Sequence, residues 1–161
     1  MIEQKKSSGK AALIAALGAT IVRWQDATQR YDEAVGEIYG LGPADRLTLS
    51  LLWQGPQTAS AIARHTRLTP AAVTSLIDRL EARGFVRRRA DPDDRRKVLV
   101  EAAEETARVT NEAYAPLQKA GEKNLGRYTE EQLRLVADLL NDSLKIQDQM
   151  TADLLKRHGK S

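Results

Sequence analysis

Asp94 and Arg96, two residues apart, are the first pair in this chain whose types and spacing define a specific chemistry. The carboxylate of one can hold the guanidinium of the other in a single orientation by charge-assisted hydrogen bonds. They sit in Asp91-Pro92-Asp93-Asp94-Arg95-Arg96. This is turn chemistry, since proline presets φ and aspartate bonds to its own backbone. Strand-like residues flank the turn: Phe85 and Val86 before it, then Arg87, Arg88 and Arg89, and Lys97-Val98-Leu99-Val100 after it. A hairpin with an arginine at its tip has the shape to enter a DNA minor groove, where narrow A·T-rich tracts attract arginine. Alone, the runs Arg87 to Arg89 and Arg95 to Lys97 read as a solvated basic face.

The element before the hairpin changes that reading. Residues 69–83 are predicted to form a helix, with Thr69 as its cap and Pro70 at the first helical position. Val73, Leu76, Ile77 and Leu80 form its inward stripe. Ala71, Ala72, Thr74, Ser75, Asp78 and Arg79 lie on the other face, small or hydrogen-bonding residues that permit close approach to another surface. Gly84 stops the helix where a left-handed residue is usual. Upstream, residues 45–54 read as a helix with Leu47, Leu51 and Leu52 inward, and Gly55-Pro56 breaks it. Thr58 caps a second short helix through His65, with Ile62 and Ala63 packed, and residues 66–68 turn into the helix at Thr69. Helix, turn and helix with a polar outer face make a helix-turn-helix.

These segments resemble the winged helix-turn-helix of the MarR family of bacterial transcription regulators. The resemblance is carried by Thr58-Ala-Ser-Ala-Ile-Ala-Arg, by Leu68-Thr-Pro-Ala-Ala-Val-Thr-Ser-Leu-Ile-Asp-Arg-Leu-Glu-Ala-Arg-Gly, and by Asp91-Pro-Asp-Asp-Arg-Arg-Lys-Val-Leu-Val. The flanking helices fit it as well. It implies a double-stranded DNA partner and gives Arg96 the wing-tip role. Where such regulators follow the second wing strand with Leu-Thr-x-x-Gly, this chain has Glu101-Ala-Ala-Glu-Glu-Thr106, so the next helix is expected to lack its usual cap. The resemblance further implies a repressor that leaves DNA when a small, often aromatic, molecule or an oxidant binds.

Within that frame, Thr74, Ser75 and Arg79 are placed near base edges, and Ala71 or Ala72 against a thymine methyl. Thr69, Ser60 and Arg64 are placed on phosphates, and Arg96, oriented by Asp94, in the minor groove. Two such helices related by a twofold axis, about one DNA turn or roughly 34 Å apart, would read an inverted repeat.

Charge distribution agrees with a polyanion partner. Residues 46–100 hold eleven Lys/Arg and five Asp/Glu, a local balance of +6, whereas the rest of the chain sums to −3. The basic middle is the part for nucleic acid. The chain of 161 residues contains no cysteine, which rules out disulfides, thiol redox sensing and thiolate metal sites.

The expected fold is therefore mainly α with a small β-hairpin. A winged helix-turn-helix over residues 43–101 is flanked by dimerisation helices over residues 1–42 and 102–161. Residues 1–9 are polar and expected to fray. Ala11 to Val22 is apolar after three lysines, like a secretion signal, but is too short to span a bilayer and lacks a clear cleavage site. A cytoplasmic location and no membrane partner are expected. Leu17, Ile21, Trp24, Thr28, Tyr31, Val35 and Ile38 step by fours and threes instead, a heptad seam on a helix over residues 10–39. After the wing, residues 103–124 read as helix, kinked by Pro116 and closed by Gly126. Thr129-Glu-Glu-Gln132 is a capping box opening a last helix to about Arg157. The first and last helices have apolar faces that one small winged domain cannot cover, so a homodimer is expected.

Trp24, Tyr31 and Trp53, with Arg23 or Arg30, could receive an aromatic or anionic effector, although core packing is the plainer reading of the aromatics. His65 and His158 are too few for a metal site, and no cofactor is expected. No glycine-rich phosphate loop, Ser/His/Asp set or framed carboxylate pair argues for an enzyme. The competing class is an architectural or protein-binding winged-helix protein without strong sequence preference.

Overall fold

The computed structural model describes residues 2–94 and 96–159, with side chains from residue 9 onward. Helix α1 spans Ile2–Tyr39, so the polar start expected to fray is helical from Ile2. Helix α2 is Pro43–Leu52, strand β1 Gln57–Thr58, helix α3 Ala59–Thr66 and helix α4 Pro70–Ala82. Strands β2 (Val86–Ala90) and β3 (Val98–Ala102) make the wing. Then come α5 (Glu104–Val109), a π-helical turn (Thr110–Tyr114), α6 (Ala115–Leu125) and α7 (Glu130–Arg157). No described helix is long and apolar enough to cross a membrane. Two compact units divide the chain, Met1–Ala113 and Tyr114–Ser161.

In the first unit the core is aliphatic around one ring. Ile62 of α3, Val73, Leu76, Ile77 and Leu80 of α4, Val86 of β2 and Val100 of β3 are buried with Phe85. The inward stripe of α4 is the one its spacing predicts. The stripe of α2 is not: Leu47 is 46% exposed, while Asp45, Thr48 and Leu52 are buried. Helix α2 starts at Pro43, two residues earlier than expected, because Asp45 is its third residue and its carboxylate reaches back to the backbone of Gly42 at the cap. The Gly42 N–H donates to Asp45 Oδ2 at 2.9 Å. Turning Asp45 into the core rotates Leu47 outward.

The wing is a three-stranded antiparallel sheet in the order β1-β3-β2, not a hairpin alone. Gln57 and Thr58 pair with Val100 and Leu99. Two residues are too short a run for alternation to show in sequence, and Thr58 doubles as the cap of α3, accepting from the Ala61 N–H at 3.2 Å. Across the wing Arg87 pairs with Glu101, Arg88 with Val100 and Ala90 with Val98. Gly84, at φ +76, makes the turn from α4 into β2. This lets the Phe85 N–H reach the Leu80 carbonyl at 2.9 Å. Gly36 of α1 is fixed by crowding instead: a β-carbon there would lie 2.7 Å from the Leu41 carbonyl.

Helix α5 has Ala103 at its cap and no side-chain cap bond, as the Glu101–Thr106 departure predicts. Backbone and Thr106 replace it. The Ala103 N–H donates to the Phe85 carbonyl and the Glu105 N–H to the Gly84 carbonyl. Buried Thr106 Oγ1 donates to the Phe85 carbonyl at 2.6 Å. The helix expected over residues 103–124 is interrupted by the π-helical turn just before Pro116. Proline has no N–H for the carbonyl four residues back, and its ring crowds that carbonyl, so the preceding turn widens.

In the second unit, α7 opens with the predicted box. Thr129 Oγ1 accepts from the Gln132 N–H at 3.3 Å, and Gln132 Oε1 accepts from the Thr129 N–H at 2.9 Å. Leu135, Val136, Leu139, Leu140, Leu144, Met150 and Leu154 are exposed along α7, as are Leu13, Ile14, Leu17, Trp24 and Ile38 along α1.

Candidate nucleic-acid interface

Helix α4 is fixed at both ends before it meets anything else. Thr69 Oγ1 accepts from the Ala72 N–H at 3.3 Å, which caps the start. At its end, Arg83 Nη1 and Nη2 donate to the Gly40 and Tyr39 carbonyls at 2.7 and 2.6 Å, tying α4 to the end of α1. The outward face carries exposed Thr69, Ala71, Thr74, Ser75, Asp78 and Arg79, with Ala72 half-buried. Thr74 and Ser75 hydroxyls donate back to the Pro70 and Ala71 carbonyls at 3.1 and 3.2 Å. Their oxygens keep acceptor capacity toward an incoming base edge. Ser60 and Arg64 are exposed on α3. There is no acidic residue between Asp45 and Asp78, so the whole helix-turn-helix up to that point is free of carboxylates.

Arg79 is half-engaged within the domain. Its Nη2 donates to Asp45 Oδ1 at 2.5 Å, and the Asp45 side chain is 5% exposed while that of Arg79 is 54% exposed. The sequence placed Arg79 outward by helical period. It gave no sign that Asp45 would be buried beneath it, except that Asp45 stands three residues after Gly42 at a helix start.

At the wing tip the local pair forms as its spacing predicts. Arg96 Nε lies 3.2 Å from Asp94 Oδ1, and the Arg96 N–H donates to the same oxygen at 3.2 Å. Lys97 Nζ is 3.6 Å from the other oxygen. Arg96 nonetheless remains 92% exposed. The Arg96 guanidinium, with its backbone N–H and Lys97, holds the Asp94 carboxyl below the usual carboxylate range. The tip is closed by Asp91 N–H to the Lys97 carbonyl at 3.0 Å and Lys97 N–H to the Asp94 carbonyl at 2.8 Å. Arg95 lies outside the described residues.

The arginine run on β2 is neutralised inside the domain. Arg87 and Arg89, on one face of the strand, donate to the two oxygens of Glu101 on β3 at 2.6 and 2.7 Å. Both pull the Glu101 carboxyl below its ordinary range, Arg87 more than Arg89. Arg88, on the other face, pairs with Asp78 at 2.5 Å and with Glu81, both on α4. The run therefore braces the wing against α4 and is not a free basic face. Glu101 was visible in sequence only as a departure from the family pattern. Its cross-strand register with Arg87 is what gives it this use.

The proposed effector residues do not converge on one site. Arg23, Trp24 and Arg30 line an open depression of about 380 Å³ with Thr20, Asp26 and Ala27, all on α1. Tyr31 is half-buried and its hydroxyl donates to the Ala113 carbonyl at 2.5 Å. Trp53 caps the end of α2 and does not line the depression. Trp24 is 59% and Trp53 72% exposed, so neither tryptophan is core within one chain. Among the described residues, no group of three His, Cys, Asp or Glu is placed to hold a metal.

A capped helix with a small polar face, preceded by a carboxylate-free helix and followed by an arginine-tipped wing, defines the winged helix-turn-helix class of DNA-binding proteins. A family model described as the MarR family matches residues 46–98. The chain is 31% identical over 123 residues to the "Uncharacterized HTH-type transcriptional regulator YcgE" of Bacillus subtilis, covering 76% of this chain and 80% of that protein. It is 31% identical over 72 residues to the HTH-type transcriptional repressor NicR of Pseudomonas putida, 45% of this chain and 46% of that one. A MarR-like transcriptional regulator of Thermotoga maritima shares the fold, with a TM-score of 0.57 and 24% identity over 78% of this chain and 92% of its own. The protein belongs to the MarR family: it is a DNA-binding transcriptional regulator and not an enzyme.

Proposed function

We propose that two copies of this chain form a homodimer that represses transcription by holding an inverted-repeat operator. Residues 1–42 and 102–161 supply the dimerisation surface, and residues 43–101 the DNA-binding domain. The exposed leucines and tryptophan of α1 and the exposed leucines of α7 support this, since contiguous apolar faces of that extent normally mark an interface. Thr74 and Ser75 read base edges, Ala71 or Ala72 meets a thymine methyl, and Thr69, Ser60 and Arg64 hold phosphates. Arg79 acts on DNA only through the part of its guanidinium that Asp45 leaves uncovered. Arg96, oriented by Asp94, enters the minor groove. The observation that carries the reading is this wing-tip pair: an arginine 92% exposed yet fixed by its own backbone turn. Repression follows the similarity to NicR, named as a repressor.

Light scattering tests the assembly. A mass near twice 17.8 kDa at micromolar concentration is expected, and a stable monomer overturns the dimer. An architectural protein without sequence preference is distinguished by competition, since operator binding by a specific repressor survives excess unrelated DNA.

An effector response is the second part of the proposal. Arg23, Trp24 and Arg30 offer one aromatic face and two cations to an aromatic carboxylate, against the single carboxylate of Asp26. The half-buried Tyr31 and the exposed Trp53 belong to such a site only in the assembled dimer. Release of a bound duplex by millimolar benzoate, abolished in Trp24→Ala, is the expected result.

A further inference from the structure

Residues 46–100 contain eleven Lys/Arg, and Arg95 lies outside the described residues. Of the ten others, eight are occupied within the domain. Arg46 donates to the Leu41 carbonyl, Arg79 to Asp45, and Arg83 to Tyr39 and Gly40. Arg87 and Arg89 share Glu101, Arg88 has Asp78 and Glu81, and Arg96 and Lys97 share Asp94. Among the described residues, Arg64 and Arg67 alone in this stretch have no partner. Both are exposed, three residues apart, inside the carboxylate-free segment.

Arg67 has a second peculiarity. It ends α3 at φ 57 and ψ 31, the single described non-glycine residue with positive φ. A β-carbon in this left-handed conformation crowds the following carbonyl, and glycine or asparagine relieves the crowding. Elsewhere the chain uses glycine for it, as at Gly40 and Gly84. Residues held in such backbone conformations cluster at sites that meet a ligand, and here the side chain makes no bond within the domain.

We propose that Arg67 is a DNA-phosphate contact of the helix-turn-helix, beside Arg64, and that the turn tolerates a left-handed arginine for that reason. The ligand is the duplex backbone, read without regard to sequence. The left-handed turn projects the guanidinium from the junction of α3 and α4, two residues before the Thr69 cap. Arg67 thus sets how firmly and at what register α4 is seated, while the outer face of α4 reads the bases. The inference rests on the family's DNA binding alone and not on the operator, dimer symmetry or repression.

The test compares Arg67→Asn, which tolerates the backbone without the charge, with Arg67→Lys, which keeps the charge. Fluorescence anisotropy on a mixed-sequence duplex of about 25 bp, enough for two adjacent half-sites, is run from 50 to 200 mM salt. Each lost phosphate contact lowers the slope of log affinity against log salt by about 0.9. The affinity lost over that fourfold range therefore shrinks about three- to fourfold in Arg67→Asn for each copy bound to the duplex. Arg67→Lys keeps the wild-type slope. The melting temperature of Arg67→Asn stays level or rises by about 2–4 °C as strain is released. A wild-type salt slope in Arg67→Asn overturns the assignment. So does a fall in melting temperature of several degrees, which would make Arg67 a residue of the fold. Absence of a specific operator footprint would sink the repressor reading and leave this result standing.

Discussion

Replacing Arg79 with alanine separates two uses of one side chain, holding α4 on α2 and touching DNA. The Arg79–Asp45 contact is 2.5 Å, with the carboxylate 5% and the arginine 54% exposed. A fully buried pair broken on one side costs about 3–5 kcal/mol, and an exposed one about 0–1. Half-exposure of the arginine places this pair between, at about 1–2 kcal/mol. Asp45 also keeps the Gly42 N–H, which limits the loss. For a chain of this size that is a fall in melting temperature of about 2–8 °C. The double variant Arg79→Ala/Asp45→Asn no longer strands a charge and keeps an amide for the Gly42 cap. It recovers about half of the loss, a coupling of about 1 kcal/mol. Urea unfolding with an unchanged m-value measures both. Arg79→Ala weakens operator and unrelated DNA together, because the seating of α4 is altered for both. An unchanged melting temperature with operator affinity selectively lost would refute the argument and make Arg79 a base reader.

Further outcomes follow from the wing and its supports. Arg96→Ala lowers operator affinity severalfold or more with no measurable change in melting temperature, since the arginine is 92% exposed; unchanged affinity by gel shift contradicts its role. Asp94 has its carboxyl pK lowered in the folded wing, so the pair is fully present above the ordinary carboxylate range and is lost as pH falls through the depressed value. The affinity ratio of wild type to Asp94→Asn is therefore flat from pH 8 to about 5 and closes only in acid below the usual aspartate pKa of about 4; a ratio that changes near neutrality would be inconsistent. Glu101→Gln unpairs Arg87 and Arg89, so binding to mixed-sequence DNA strengthens and its salt slope steepens; an unchanged slope would show that those arginines never reach DNA. Gly84→Ala places a β-carbon at φ +76 with its nearest neighbour 3.7 Å away, so the cost is backbone strain and not clash, about 1–2 kcal/mol read by urea unfolding.

How far the chain declares itself in sequence depends on the range of the interaction. Local chemistry is legible: the Thr58, Thr69 and Thr129 caps, the Gly84 turn and the Asp94–Arg96 pair all form between residues at most five apart. The inward stripe of α4 is legible because four apolar residues repeat at helical period. What spacing cannot show is which carboxylate meets which arginine across elements. Asp45 meets Arg79 across 34 residues, and Glu101 meets Arg87 across 14. Glu101, together with Asp78 and Glu81 on Arg88, turns a run read as a basic face into an internal brace, and the burial of Asp45 rotates Leu47 out of the core. The two-residue strand β1 was invisible because it has no periodicity of its own, whereas Pro116 marked the break in the helix after the wing but not its π-helical form. Arg67 looked like any turn residue, and only its backbone angle and its lack of a partner single it out.

Hydroxyl-radical footprinting of the wild-type protein across the promoter nearest its own gene tests the central claim most directly. Two symmetry-related protected patches centred about 10 bp apart are expected, each with an adjoining minor-groove protection that disappears in Arg96→Ala. A single asymmetric patch, or uniform protection with no preferred site, would contradict a twofold pair of α4 helices on one duplex.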